Sequence, residues 1–208
     1  MGRKLIGTPD PFAYPATPIK RKHGPLGYQK YDSYREWLRD DFAFRRVFCL
    51  RREQWEIMRA TFAIDHFIAQ CRDSHKILDY DNLLYICSSC NSAKSHHLVC
   101  DPCEVALGKC LVVNNDGTIT ATNEDGQVLI EILRLDNEDY TQYRYRTIRT
   151  IQALAALGDK ETILLWLCYP KNLPDLTQLR PPGGNKRPEG IRESHYARRF
   201  RCELPEMY

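Results

Sequence analysis

Asp65 and His66 stand side by side, followed by Asn82 and then by Cys87-Ser88-Ser89-Cys90-Asn91, with Lys94 one helical turn further on. An imidazole titrates close to neutrality, so His66 suits the activation of water as a general base. The Asp65 carboxylate and the Asn91 amide oxygen are hard donors that suit Mg²⁺ or Mn²⁺, an ion that keeps several of its waters. Sulfur suggests a second chemistry. The chain has nine cysteines, an odd number, and two of its spacings are CxxC: Cys87 with Cys90, and Cys100 with Cys103. Without a secretion signal, this usage points to thiol or metal chemistry rather than to a disulfide framework. Thiolates prefer Zn²⁺ and a structural zinc takes four ligands, with Cys87 and Cys90 the first two to expect.

These groups need elements to hold them. Residues 62–67 and 83–86 read as strands joined by a polar loop, and Asn91 is expected to cap a short helix running to about Leu98. Asp65 and His66 alternate across the strand, so both face one site only if the strand ends or bends there. Upstream, the spacing of Tyr31, Tyr34, Trp37, Leu38 and Phe42 predicts a helix within 28–44, and 52–60 predicts a second carrying Trp55 and Met58. Downstream, Asn115-Asp116-Gly117 between 111–113 and 118–120 is a hairpin signal. Helical periodicity follows over 127–135, 138–157 and 162–168. Proline punctuates residues 1–27, which also carry Lys20-Arg21-Lys22-His23, and the tail from 173 is rich in Pro, Gly and Arg. Both are expected to be extended arms. The division is therefore an arm at 1–27, a catalytic module with leading helices at 28–108, a hairpin with a helical extension at 109–172, and a tail at 173–208. The fold class is α+β.

Composition excludes more than it selects. Hydrophobic residues are 43% and charged residues 27% of 208, which excludes wholesale disorder. No apolar run approaches the ~20 residues of a membrane span, so a soluble, cytoplasmic protein is expected. The net charge of +3 permits a nucleic-acid partner without arguing for one.

The order Asp65-His66, Asn82 before a Leu-rich strand, then Cys87-x-x-Cys90-Asn91 resembles the HNH endonuclease family. With Asn91 at the last position, it is similar to the His-Asn-Asn subtype. Phe44–Trp55, the hairpin after Asp101-Pro102 and Arg180-Pro181-Pro182-Gly183-Gly184-Asn185 also look like small stand-alone bacterial members. The resemblance implies a ββα-metal core that hydrolyses DNA phosphodiester bonds. His66 would be the base, Asp65 and Asn91 would hold the divalent ion, and Asn82 would brace the loop that orients the histidine. Lys94, Arg51 and Arg52 are the residues expected on DNA phosphates, with Arg144, Arg146 and Arg149 as a further basic stripe. Such proteins often hold zinc between two CxxC knuckles, but Arg46 stands where the first cysteine of the upstream knuckle is expected. Cys49, Cys87 and Cys90 remain, with the fourth ligand open between Cys103 and Cys100. A site of Cys87, Cys90, Cys100 and Cys103, or no zinc at all, are the alternatives.

Two other functions compete. A zinc-stabilised nucleic-acid-binding or interaction module could keep the ββα shape without turnover, but it would need no Asp65/His66/Asn91 set. A redox role for Cys87 and Cys90 lacks the surrounding βαβ pattern. A homodimer or a partner protein is compatible with either reading, since one site cuts one strand. His23 and His195 lie in the arms and carry no signal by themselves.

Overall fold

The computed structural model describes residues 8–55 and 62–208. Met58 and most of the helix expected over 52–60 lie outside the described residues, and a 3₁₀ turn at Glu53–Trp55 is what is described there. The first helix is shorter than its periodicity suggested. A 3₁₀ turn at Tyr31–Tyr34 leads into α1, Arg35–Asp41. Ala43 and Phe44, both at positive φ, turn the chain sharply away after it.

Strands β1 (Phe62–His66) and β2 (Leu83–Cys87) pair antiparallel, with Phe62 opposite Cys87 and His66 opposite Leu83. All five β2 residues are buried, as expected of a short apolar strand covered on both faces. Trp37 and Leu38 of α1 pack in the same core. A buried ion pair fastens α1 to the sheet: Arg39 Nε and Nη2 donate to Glu53 at 2.8 and 2.7 Å, and the Tyr85 hydroxyl donates to Glu53 at 2.8 Å.

Helix α2 spans Ser88–Lys94, which corrects the expected start at Asn91. Its N-cap is Cys87, whose sulfur accepts from the Cys90 N–H at 3.2 Å. Strands β3 (Leu111–Val113) and β4 (Ile119–Ala121) form the hairpin, with β4 one residue later than expected. Gly117 closes its turn at φ +82°, and a Cβ there would collide with the Thr141 carbonyl. Helices α3 (Glu124–Leu133), α4 (Glu138–Leu157) and α5 (Lys160–Leu167) follow. Asn123, Asn137 and Asp159 cap their N-termini. The architecture is α+β. Among the described residues, no helix is long and apolar enough to cross a membrane.

The two arms are not irregular appendages. The tail contains α6, His195–Phe200, and both arms reach the core. Leu26 bonds the tail on both sides, its N–H donating to Gly184 O and its carbonyl accepting from Gly183 N–H, both at 2.9 Å. Arg187 Nε donates to His23 O at 2.7 Å. His23 and His195, silent in the sequence, converge on one carboxylate of α1. Asp40 accepts from His23 Nε2 at 2.8 Å, from His195 Nδ1 at 2.9 Å, from the His195 N–H at 2.7 Å and from Lys22 Nζ at 2.9 Å. Gly190 makes this crossing possible, because a Cβ there would overlap the Lys22 carbonyl.

Candidate active site and thiol cluster

His66 is the last residue of β1, so the strand ends where the alternation argument requires it to. Its Nε2 lies 3.0 Å from the Ile77 carbonyl. A carbonyl can only accept, so this contact places the proton on Nε2 and leaves the lone pair on Nδ1. Among the described residues, Nδ1 is met by the exposed Gln70, whose amide donates to it at 3.2 Å. Tyr31 packs edge-on against the ring, with centroids 5.0 Å apart.

The carbonyl of Ile77 belongs to the loop between β1 and β2, and Asn82 ties that loop together. Asn82 Oδ1 accepts from the Ile68 N–H at 2.8 Å, and Nδ2 donates to the carbonyls of Ile68 and Lys76, each at 3.1 Å. The side chain therefore fixes the residue preceding Ile77. Asn82→Ala is expected to release the loop it ties, read as faster amide hydrogen exchange at Ile68 and around Ile77; unchanged exchange would disconnect the side chain from the loop.

Lys94 departs from expectation. It is fully buried, with Nζ 3.0 Å from Asp65 Oδ2 and donating to the His66 carbonyl at 2.9 Å. Its ammonium thus holds the Asp65-His66 corner from inside and is not presented to a DNA backbone. Burial raises the Asp65 carboxyl above the ordinary range, opposed by Lys94 and more weakly by His66. The angle to Lys94 leaves Asp65 Oδ2 without a directed hydrogen bond among the described residues. Asn91 precedes Lys94 by three residues and shares its side of α2. The Asp65 carboxylate, ion-paired to Lys94, and the half-buried Asn91 amide are hard oxygen donors of the type a divalent cation takes.

Sulfur gathers on the other side of the motif. The chain turns at 46–50, where Leu50 N–H donates to Arg46 O, and this brings Cys49 to the N-terminus of α2. Cys49, Cys87 and Cys90 are all buried, and their sulfurs lie within 4.8 Å of one another. Cys49 and Cys87 are 3.9 Å apart. Hydrogen bonds from Cys49 and Cys90 lower the Cys87 thiol against its burial, while burial pushes Cys49 up to about 12. Three neighbouring thiolates would repel one another, and a bound cation would offset that repulsion. Three buried sulfurs at this spacing fit a zinc ion in number and softness but leave a corner open.

Neither candidate fills that corner. Cys100 sits with Cys110 and Asp125, and Cys103 lies against Arg21, so the four-cysteine set of Cys87, Cys90, Cys100 and Cys103 is not assembled. Arg46 is buried with its guanidinium 4.3 Å from the Phe62 ring centroid, lowering Cys49 through its charge. The group that does stand beside the sulfurs is Tyr140 of α4, which sequence reasoning missed because a tyrosine in an amphipathic helix carries no ligand signal. Its hydroxyl is 3.5 Å from both Cys87 and Cys90 sulfurs.

The basic residues expected on DNA are largely internal. Arg52 is buried, donates to the Leu167 carbonyl at 3.1 Å and lies 4.2 Å from the Tyr208 ring centroid. Arg51 is half-buried over the Tyr143 ring, and Arg144 is buried, donating to the carbonyls of Gly117 and Leu135 at 2.6 and 2.8 Å. Arg51 and Arg52 meet α4 and α5, and Arg144 ties α4 to the hairpin and to the turn before α4, while Arg146 and Arg149 of the stripe are exposed.

Residues 48–97 match the family model described as HNH endonuclease, so an HNH domain occupies the stretch from Cys49 through β1, β2 and α2. No curated protein matches the chain, and no solved structure does.

Proposed function

We propose that this chain is a metal-dependent HNH endonuclease that hydrolyses DNA phosphodiester bonds. The observation that carries the reading is the orientation of His66, with Nε2 on the Ile77 carbonyl and Nδ1 toward the exposed Gln70 amide. A water molecule that displaces this amide would meet a base already oriented. Asp65 and Asn91 would hold Mg²⁺ or Mn²⁺, which when bound supplies positive charge against the phosphate and the departing oxygen. His66 takes the proton from the attacking water at Nδ1. Lys94 keeps the Asp65-His66 backbone from shifting as charge develops, and Asn82 keeps Ile77 on the ring. Cys49, Cys87 and Cys90 hold a structural Zn²⁺ that fixes the start of α2 against the turn at 46–50.

The test is plasmid nicking by the full chain in Mg²⁺, in Mn²⁺ and in EDTA. Cleavage in either ion and none in EDTA supports the reading. If DNA is bound but never cut in any divalent ion, the chain is a nucleic-acid-binding module, and the Lys94 ammonium beside Asp65 serves in place of a metal.

A further inference from the structure

We propose that the Tyr140 phenolate is the fourth ligand of the zinc held by Cys49, Cys87 and Cys90, an inference that rests on the zinc reading above. The spacing of the donors carries it. Zinc–sulfur bonds of about 2.3 Å and zinc–oxygen bonds of about 2.0 Å at tetrahedral angles set sulfurs about 3.8 Å apart and sulfur and oxygen about 3.5 Å apart. Here the Cys49 and Cys87 sulfurs are 3.9 Å apart, and the Tyr140 oxygen is 3.5 Å from Cys87 and 3.5 Å from Cys90. An oxygen 3.5 Å from two of the three sulfurs has the sulfur–oxygen spacing that a fourth tetrahedral ligand requires of that pair.

The placement is built, not incidental. Tyr140 lies in the first turn of α4, held there by the Asn137 side chain, which accepts its N–H at 2.8 Å. The N-terminal turn of the 20-residue α4 meets the cluster through Tyr140, and its partial positive charge favours anionic ligands. Neither Cys100 nor Cys103 competes, since they are directed to Cys110 and Arg21. Tyr140 also lines a groove of about 630 Å³ with Ser89, Ser92, His97 and Arg134, which brings solvent to the tyrosine's side of the cluster. Zinc binding would release the phenolic proton to solvent along with the thiol protons, leaving a phenolate and three thiolates around the ion. The metal would then join α4, which lies beyond the HNH match, to the core of that domain.

The experiment uses the full chain, stripped with a chelator and reloaded with Zn²⁺, compared with Tyr140→Phe. Reloading the wild type should produce the ultraviolet difference band of one ionised tyrosine and release one more proton than the variant, as counted by calorimetry in buffers of different ionisation heat. Tyr140→Phe should lack the band and bind zinc at least about tenfold more weakly, the minimum expected when a metal site loses a supporting group. If the variant does not fold, Co²⁺-loaded wild type decides alone, since three thiolates give a weaker sulfur-to-cobalt band than four. Zinc binding without the tyrosine band, with equal proton release, would make Tyr140 a hydrogen-bond donor and overturn the ligand while sparing the zinc reading. A four-thiolate cobalt spectrum would overturn it in favour of Cys100 or Cys103. A wild type that takes up no zinc would overturn both.

Discussion

Replacing His66 with alanine is expected to slow DNA nicking by about 10²–10⁴-fold, the usual cost of losing a general base. The loss should appear in kcat, because His66 is buried behind Tyr31 and Gln70 and adds little to DNA affinity. His66→Gln sharpens the comparison. It keeps an amide that can donate toward the Ile77 carbonyl but offers no basic nitrogen, so it should be as slow as alanine. The acid side of the wild-type profile has its own cause. The Asp65 carboxyl is raised by burial, so it takes up a proton at higher pH than an exposed aspartate, and the protonated form no longer offers a charged ligand. Cleavage should therefore weaken as pH falls through that raised value, and extra Mg²⁺ should restore part of it. Single-turnover rates of the three proteins across pH measure both effects. A His66→Ala protein that cuts at the wild-type rate would place the base elsewhere.

The largest stability effect is expected from Asp40. Asp40→Ala would leave His23, His195 and Lys22 buried or half-buried without their shared acceptor, a change that typically costs about 3–5 kcal/mol. Burial alone would raise the Asp40 carboxyl, but hydrogen bonds from His195 and His23 and the charge of Lys22 hold it well below the ordinary range. A depressed carboxylate contributes stability that is complete above its unfolded value of about 4 and is lost as pH falls toward the folded value. His195 adds an earlier step of the same sign. Burial lowers its pKa against the opposing pull of Asp40, so the unfolded chain binds the proton more readily. Stability should begin to fall below about pH 6.5 and fall again below about pH 4. Denaturant midpoints from pH 8 to pH 3 would show two steps in the wild type. His195→Asn keeps a donor toward Asp40 and should remove only the first. A single step in the wild type would separate His195 from the titration.

The parts of this molecule legible in its sequence are those set by neighbours along the chain. The β1–β2 pair announces itself as two short apolar runs, the hairpin through Asn115-Asp116-Gly117, and α4 through helical periodicity over 138–157. Asp65, His66 and Asn82 fall at strand ends, where the spacing put them. What stayed hidden depends on distant partners. Lys94 reads as an exposed helical lysine until β1 crosses beneath it and brings Asp65 within 3.0 Å. Arg144 reads as part of a polar face, yet the hairpin turn lies against it and takes its guanidinium inward. The α2 boundary was misplaced because a cysteine sulfur, not the nearby asparagine, caps that helix. His23 and His195 carry no local pattern at all, and only the folded chain sets them on one carboxylate.

That carboxylate has a topological consequence. The Asp40–His195 contact joins residues 155 apart in the chain, while all nine cysteines are free. A covalent cross-link across a loop of that length would remove on the order of 5 kcal/mol of entropy from the unfolded chain once and for all. A hydrogen-bonded clasp removes none, so the loop must be closed anew each time the protein folds. One contact worth about 1 kcal/mol would not hold such a loop shut. Four donors converging on Asp40 act together, and so they should release together. A proton on this carboxylate would do to the fold what a reductant does to a disulfide.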